Sequence, residues 1–222
     1  MHVDDLRAAV DAALDGRRLI EHPFYRRWVA GGVGVDEIRA YTAQYRHFEA
    51  SLPGVLTAAA AGFEQPAARA ALERNLADET GTGGDGPSHL ELLDRLATSI
   101  DAPPAVPTAA TVRLVSAYAA LAAQGPVAGT AAVLAYETQV PELAAAKSAA
   151  LQAQLGLDRD DVAFWEVHAG LDGDHAGWGL DALAAAGATP HAVGAAAGAA
   201  AAAWWDFLDE REAVRPVGAG RA

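Results

Sequence analysis

Hydrophobic residues recur at every third or fourth position along most of the chain, and no segment stands out with a period of two. The first pattern is typical of amphipathic helices, whereas the second would indicate strands. In the segment that follows Asp36, the helical spacing is shown by Ile38, Tyr41, Tyr45, Phe48 and Leu52. We therefore predict an all-α fold, a single-domain bundle of seven to eight helices, without a linker or an internal repeat.

Prolines and glycines mark the boundaries of the predicted helices. Pro53 is expected to kink or end the long helix after Asp36, and Pro141 to kink a helix that spans residues 126–155. The glycine-rich run at residues 80–88 is predicted to be a loop. We expect the helical domain to cover residues 1–212 and residues 213–222 to form a flexible tail.

Composition limits the class of protein. A chain of 222 residues is long enough to bury a core, and no uninterrupted apolar run is long enough to span a bilayer. The N-terminus has no apolar leader segment. The absence of cysteine excludes disulfides, thiolate ligands and a cysteine nucleophile, so a cytoplasmic protein is the expectation.

The charge pattern argues against two classes of partner. The formal net charge is −13 and the basic residues are scattered, so neither nucleic acid nor an anionic membrane is an expected partner. The basic residues comprise 15 arginines and a single lysine, Lys147. In a chain that uses arginine so consistently, this one lysine is a candidate for a chemical role.

The segment FWEVHAGLDGDHAGW carries the clearest candidate chemistry. On a helix, His168, Asp172 and His175 lie at positions i, i+4 and i+7, within roughly 60° of one another. Two imidazoles and a carboxylate on one face suit iron, manganese or zinc. Coincidence is the alternative interpretation of a motif of this length.

Further ligands should come from other helices, as in helical metal bundles. Glu137 is an acid on an otherwise apolar helix face, Glu79 ends a predicted helix, and His89 follows the glycine-rich loop. Taken alone, a residue such as Glu79 is more often a solvated helix end, and one such as His89 is more often a surface or helix-start residue. Together with the first three, these residues would hold two metal ions with open positions, which is typical of oxygen-activating chemistry rather than of a structural zinc site.

Two other features have more than one interpretation. Gly170, Gly173, Gly177 and Gly179 weaken the helix that bears the metal motif, so that either metal binding or close helix packing must compensate. Lys147 lies ten residues after Glu137, about 80° away around a continuous helix, and could border the same cavity. Core packing is the default expectation for Tyr25, Tyr41, Tyr45 and Tyr136.

Four segments resemble a known superfamily. The run from HPFYRRW to SLPGVL resembles the opening of TenA/PqqC-like, haem-oxygenase-like proteins. The segments NLADE…HLELL, AYETQVPELAAAK and FWEVHAGLDGDH resemble the ligand-bearing parts of the haem-oxygenase-like diiron oxidases. Within that group the chain is most similar to the CADD family, proposed makers of p-aminobenzoate for folate. The resemblance covers roughly residues 20 to 185.

The resemblance implies a haem-oxygenase-like fold, two iron ions (or iron and manganese), O₂ as co-substrate and an external reductant. It assigns the metal ligands to Glu79, His89, Glu137, His168, Asp172 and His175. In CADD-like proteins a tyrosine is consumed and a lysine donates its amine, and Tyr25 and Lys147 match those positions. The spacing from Glu79 to His89 is longer than in that family, as it is in related oxidases of amino acids or amines.

Several functions therefore compete. The first is a diiron oxygenase that consumes its own side chains, and the second is a diiron enzyme that oxidises a small-molecule amine or amino acid. A thiaminase-type hydrolase is excluded by the lack of cysteine, and a metal-free PqqC-like oxidase would not need three carboxylates and three histidines. A non-catalytic TenA-like regulatory or structural protein is the alternative of another class. A homodimer is compatible with each of these functions.

Overall fold

A computed structural model describes residues 2–84 and 86–214. Within these residues the chain forms ten α-helices, one short 3₁₀ turn at Leu19–Glu21 and no strand. The helices are α1 (Val3–Leu14), α2 (Pro23–Val29), α3 (Val35–Gly62), α4 (Pro66–Glu79), α5 (His89–Ser99), α6 (Ala109–Gln124), α7 (Pro126–Glu137), α8 (Val140–Leu155), α9 (Ala163–Ala185) and α10 (Pro190–Ala213). The all-α prediction is confirmed, although there are more helices than the seven to eight expected.

The helix starts follow from local sequence. Proline occupies the first turn of α2, α4, α7, α8 and α10, where a missing backbone N–H costs no hydrogen bond. Before α2, the Nδ1 atom of His22 accepts a hydrogen bond from the backbone N–H of Phe24 at 3.1 Å. Before α5, the side chains and backbone of Ser88 and Glu91 form a reciprocal capping box. The loop therefore ends at a fixed point, immediately before His89.

Pro53 and Pro141 have different effects on helical structure. Pro53 lies inside α3, which continues past it to Gly62. The single kinked helix expected over residues 126–155 is instead two helices, α7 and α8, separated by residues 138–139. Pro141 has no backbone N–H to donate to the carbonyl four residues earlier, which interrupts the helical hydrogen bonding at this point. The Gln139 side chain stabilises the break, because its Oε1 accepts from Leu19 N at 2.7 Å and its Nε2 donates to Ala135 O at 2.6 Å.

The helices pack so that α3, α4, α5, α7 and α9 surround one region of the core. Helix α9 contacts α4, α5, α7 and α8, while α3 contacts α4, α5, α6 and α7. The ends of α4 and α7 and the start of α5 meet this region, which places their terminal residues beside the middle of α9. No described helix is long and apolar enough to cross a bilayer.

Candidate metal centre

Five of the six predicted metal ligands converge in that region. Glu79 is the last residue of α4, His89 the first of α5 and Glu137 the last of α7, while His168 and His175 lie on α9. All five side chains are buried. The solvated helix end considered for Glu79 and the surface position considered for His89 are therefore not what the structure shows.

The convergent side chains form two overlapping groups. In one, Glu49, Glu79, His89 and His168 each offer a ligand atom, and these atoms lie within 4.8 Å of one another. In the other, the same limit holds for Glu79, Glu137 and His175. Glu79 belongs to both groups, so its two carboxylate oxygens could bridge two ions.

The distances within the groups are short. Glu79 Oε2 lies 2.8 Å from His89 Nδ1, and its Oε1 lies 3.9 Å from His175 Nδ1. His175 Nδ1 is also 3.8 Å from Glu137 Oε1. The ring centroids of His89 and His168 are 4.4 Å apart. Each group is thus compact enough for one ion to contact several of its members.

Neighbouring polar groups orient the imidazoles and carboxylates. The Nδ1–H of His168 donates to the Phe164 carbonyl at 2.7 Å, which leaves its Nε2 with a lone pair. That Nε2 is buried and has no hydrogen-bond partner. His175 Nε2 lies 3.2 Å from Asp78 Oδ2, and Asn75 Nδ2 donates to Glu137 Oε1 at 2.7 Å. Metal sites in proteins commonly have such outer partners.

The electrostatics of the site favour a cation. Burial raises the pKa values of Glu49, Glu79 and Glu137 to about 8, and the nearby Glu79 carboxylate further raises that of Glu49. Burial lowers the pKa of His168 well below its usual value. Unprotonated imidazoles and closely spaced carboxylates are the donors that iron and manganese accept. The residues present therefore fit such ions.

Asp172, the remaining predicted ligand, lies on α9 one turn after His168. Its side chain lies outside the described part of the structure. Its role as a ligand therefore stays a prediction from the helical spacing and from the family resemblance.

Glu49 is the site residue that sequence reasoning missed. It is buried on α3 and lies one turn after Tyr45, on the apolar side of the helix. The criterion that singled out Glu137, an acid among apolar helical positions, applies equally to Glu49.

A second buried cluster contains the two residues expected to react. Lys147 Nζ donates to Tyr25 Oη at 3.1 Å and to Tyr41 Oη at 2.8 Å. The two hydroxyls lie 2.5 Å from each other. Aromatic rings cover the amine, with Nζ 4.1 Å from the Trp165 centroid and 4.2 Å from that of Tyr25. Because α7 and α8 are separate helices, Lys147 borders these tyrosines rather than sharing a helix face with Glu137.

Helix α3 joins this tyrosine–lysine cluster to the carboxylates. The rings of Tyr41 and Tyr45 stack with centroids 5.6 Å apart. The Tyr45 hydroxyl donates to Glu49 Oε2 at 3.3 Å and also pairs with the Tyr136 hydroxyl. The tyrosines thus have the bonded hydroxyls expected of core residues, and they also form a continuous path between the two clusters.

The sequence matches the family described as iron-containing redox enzymes over residues 39–207, which is more than half of the chain. The chain belongs to this family of redox enzymes. A 4-aminobenzoate synthase of Nitrosomonas europaea is 30% identical, with 94% of this chain and 92% of that protein aligned. A 4-aminobenzoate synthase of Chlamydia muridarum is 27% identical over 75% of this chain and 72% of its own length.

Solved structures of similar shape support the same fold. A CADD-like protein of unknown function from Nostoc punctiforme has a TM-score of 0.79 at 20% identity, with 96% of this chain and 99% of that chain covered. A TenA homologue from P. horikoshii has a TM-score of 0.70 at 16% identity, with 94% and 96% covered. A domain from Shewanella denitrificans described as having a heme oxygenase-like fold has a TM-score of 0.77 at 19% identity, with 96% of this chain and 93% of that chain covered, which confirms the predicted fold. As a member of the family, the protein is an iron-containing oxidoreductase.

Proposed function

We propose that this protein is a non-haem diiron, or iron–manganese, oxygenase that forms 4-aminobenzoate from its own side chains. Tyr25 would supply the aromatic ring and Lys147 the amino nitrogen. The observation that carries this proposal is the buried contact between Lys147 and Tyr25, at 3.1 Å, in a cluster that Tyr41 and Tyr45 connect to the carboxylates and imidazoles. The similarity to two 4-aminobenzoate synthases supports it.

The metal ions would be held by Glu79, His89, Glu137, His168, Asp172 and His175. When bound, they would supply the activation of O₂, with electrons from an external reductant. The protein's own residues hold the site in shape. Asn75 orients Glu137, Asp78 orients His175, and the Phe164 carbonyl sets the His168 tautomer that presents its lone pair to the site.

The surroundings of Lys147 suit an amine that has to react. Burial lowers the pKa of Lys147 well below its usual value, so the neutral amine is favoured in the folded protein. Its two N–H bonds can donate to Tyr25 and Tyr41, which leaves the nitrogen lone pair available. An arginine could not serve in this way because it stays protonated.

The size of the cavity beside the metal centre favours an internal substrate. A cavity of about 10 Å³ lies against Glu137 and Asn75, and its other walls are mainly apolar. This volume is about what one water molecule requires. An amino acid or a larger amine would need a much larger space, whereas Tyr25 and Lys147 are already in place.

Oxidation of an external amine or amino acid is the second candidate. The observation that favours it is the loop between Glu79 and His89, which contains exposed residues directly beside two candidate ligands. Movement of such a loop could admit a small molecule to the carboxylates. A non-catalytic regulatory role is disfavoured by membership of a family of redox enzymes.

The proposal can be tested by exposing anaerobically iron-loaded protein to O₂ and a reductant without any added substrate. We expect 4-aminobenzoate to appear and the intact mass of the chain to change, with the change mapping to Tyr25. Tyr25→Phe and Lys147→Arg should abolish the product while leaving the bound metal unchanged. Tyr118→Phe is the matched control, because Tyr118 is equally buried but its hydroxyl bonds Trp204, away from Lys147.

The result that would contradict the proposal is equally specific. If O₂ is consumed only when an external amine is added, and the mass of the chain stays constant, the amine-oxidising alternative is correct. If the wild-type protein takes up no transition metal, both enzymatic proposals fail.

A further inference from the structure

We propose that Glu49 is a further metal ligand, which binds one ion together with Glu79, His89 and His168 and links that ion to Tyr45. This inference rests on the proposed function, because it assumes that the buried cluster holds metal. It adds a carboxylate from α3 to a ligand set that otherwise comes from α4, α5, α7 and α9.

The position of Glu49 is costly for an acid without a cation. Its side chain is only 2% exposed, and Tyr45, Phe48 and Leu52 around it on α3 are buried as well. Burying an unpaired carboxylate costs several kcal/mol, so such groups are usually paired or bound to metal. Within the described residues, no ion pair connects Glu49 to an arginine or to Lys147.

The carboxylate beside Glu49 adds negative charge to the cluster, which favours a bound cation. The closely placed Glu79 carboxylate belongs to the same group of ligand atoms within 4.8 Å, and two carboxylates side by side repel each other when ionised. The Tyr45 hydroxyl donates a hydrogen bond to Glu49 Oε2 over 3.3 Å, which is longer than usual for such a bond. A hydrogen bond between the Glu49 and Glu79 carboxyl groups, with one of them protonated, relieves this repulsion without metal, whereas a shared divalent ion would hold both groups in the ionised form.

The imidazoles provide independent evidence that the group is directed towards a ligand. His168 is 1% exposed, its Nε2 has no hydrogen-bond partner, and its Nδ1 is fixed by the Phe164 carbonyl. His168 also offers a ligand atom within 4.8 Å of those of two carboxylates, and a buried imidazole with an unpartnered nitrogen in such a group is what a metal site requires. Atoms that share one ion at about 2.1 Å lie at most about 4.2 Å apart, so a contraction of a few tenths of an ångström would close the group.

The proposed ligand sets would make the two ions unequal. One ion would have Glu49, His89 and His168, the other would have Glu137 and His175, and Glu79 would bridge them. Asp172 would be available in addition. The carboxylate of Glu49 would also accept the Tyr45 hydroxyl bond, so the first ion would be the one in contact with the tyrosine path towards Lys147.

The test is anaerobic titration of the metal-free protein with Fe(II), and in parallel with Co(II), whose absorption spectrum reports its ligands. We expect wild-type protein to bind two ions. Loss of an outer partner commonly weakens metal binding 10–100-fold, so Glu49→Gln, which removes a ligand, should weaken one of the two by at least about tenfold and alter the Co(II) spectrum. Glu142→Gln, at an exposed position on α8, is the matched control and should bind both ions normally.

Two further variants distinguish the loss of Glu49 as a ligand from a general loss of metal binding. Tyr45→Phe removes the hydrogen bond to Glu49 but keeps the carboxylate, so it should retain both ions. His168→Ala should lose the same ion as Glu49→Gln. If Glu49→Gln binds both ions with wild-type affinity while His168→Ala does not, Glu49 is not a ligand and only this inference is overturned. If neither wild type nor variants bind metal, the proposed function fails as well.

Discussion

Lys147 is the residue whose surroundings depart most from the usual ones for its type. A lysine in a protein core normally has an acid partner, but the groups that face this amine are the hydroxyls of Tyr25 and Tyr41 and several aromatic rings. Burial favours the neutral amine, so the folded protein must give up a proton that the unfolded chain binds. The residue therefore lowers the stability of the fold, which is consistent with retention for chemistry.

This cost should be measurable with Lys147→Met, which replaces the amine by an unbranched, uncharged side chain that is one atom shorter. Because the pKa of Lys147 is lowered in the folded state, the unfolded chain binds more protons below its ordinary pKa of 10.5, and the stability of wild type should rise with pH through that range. We expect the methionine variant to be the more stable protein at pH 7. Its advantage should shrink towards pH 9, by at most about 1.4 kcal/mol per pH unit.

Urea unfolding of both proteins at pH 7, 8 and 9 is the measurement. Gln152→Met, at an exposed position on the same helix, should show no such dependence on pH. A difference between wild type and Lys147→Met that stays constant with pH would mean that the lysine is charged in the folded protein.

Most of the individual site residues could be predicted from the sequence, but their contacts could not. Composition singled out Lys147, and helical spacing singled out His168, Asp172 and His175. Glu79, His89 and Glu137 were identified by residue type and by their positions in or beside predicted helices. Glu49 was missed because helical periodicity shows which face a residue occupies, and not how deeply that face is buried. The hydrogen bond between Tyr25 and Lys147 joins residues 122 positions apart, which no local pattern could reveal.

We expect helix α9 to be the element whose stability depends most on bound metal. Two explanations were open for its four glycines, namely metal binding and close helix packing. A Cβ atom added at Gly170, Gly173 or Gly177 would meet nothing within 4 Å, whereas one at Gly179 would lie 3.0 Å from Leu134 Cδ2. Close packing therefore accounts for Gly179 alone. The other three glycines weaken the helix without a packing benefit, and this leaves α9 dependent on its ligands.

The two kinds of glycine should respond differently to alanine. We expect Gly170→Ala to stabilise the metal-free protein by about 1 kcal/mol, because alanine is the better helix former and the site has room. Gly179→Ala should gain less or lose stability, because its methyl group would press on Leu134. Denaturant unfolding of the metal-free variants measures both, and equal effects at the two positions would contradict this account of α9.

The helix boundaries show which features of the helices could be predicted from local sequence patterns. Prolines in the sequence indicate the starts of α2, α4, α7 and α10 because this signal acts within one turn. The break between α7 and α8 was predicted only as a kink, since its stability depends on hydrogen bonds from Gln139 to Leu19 and Ala135. Leu19 is 120 residues away in the chain.

In the whole molecule, α3 connects the two buried clusters. Tyr41, Tyr45 and Glu49 follow one another at intervals of four residues and so occupy one face of this helix. Tyr41 contacts Lys147, Tyr45 stacks on Tyr41, and Glu49 lies among the candidate metal ligands. The fold thus encloses the candidate metal centre and the proposed internal substrate in one core and joins them through a single helix, α3. The all-α class and the haem-oxygenase-like fold could be predicted, but this arrangement required the packing of α3 against α4, α5 and α7.

The presence of one lysine in the whole chain permits a site-specific test of the central claim. Protein made with lysine carrying ¹⁵N at its ε-nitrogen is labelled at Lys147 alone. After anaerobic iron loading, O₂ and a reductant are admitted, and the 4-aminobenzoate formed is analysed by mass spectrometry. We expect the product to carry the ¹⁵N label and not to exceed one molecule per chain, because each chain can react once. Unlabelled 4-aminobenzoate, repeated turnover, or product that forms only after an external amine is added would contradict the account.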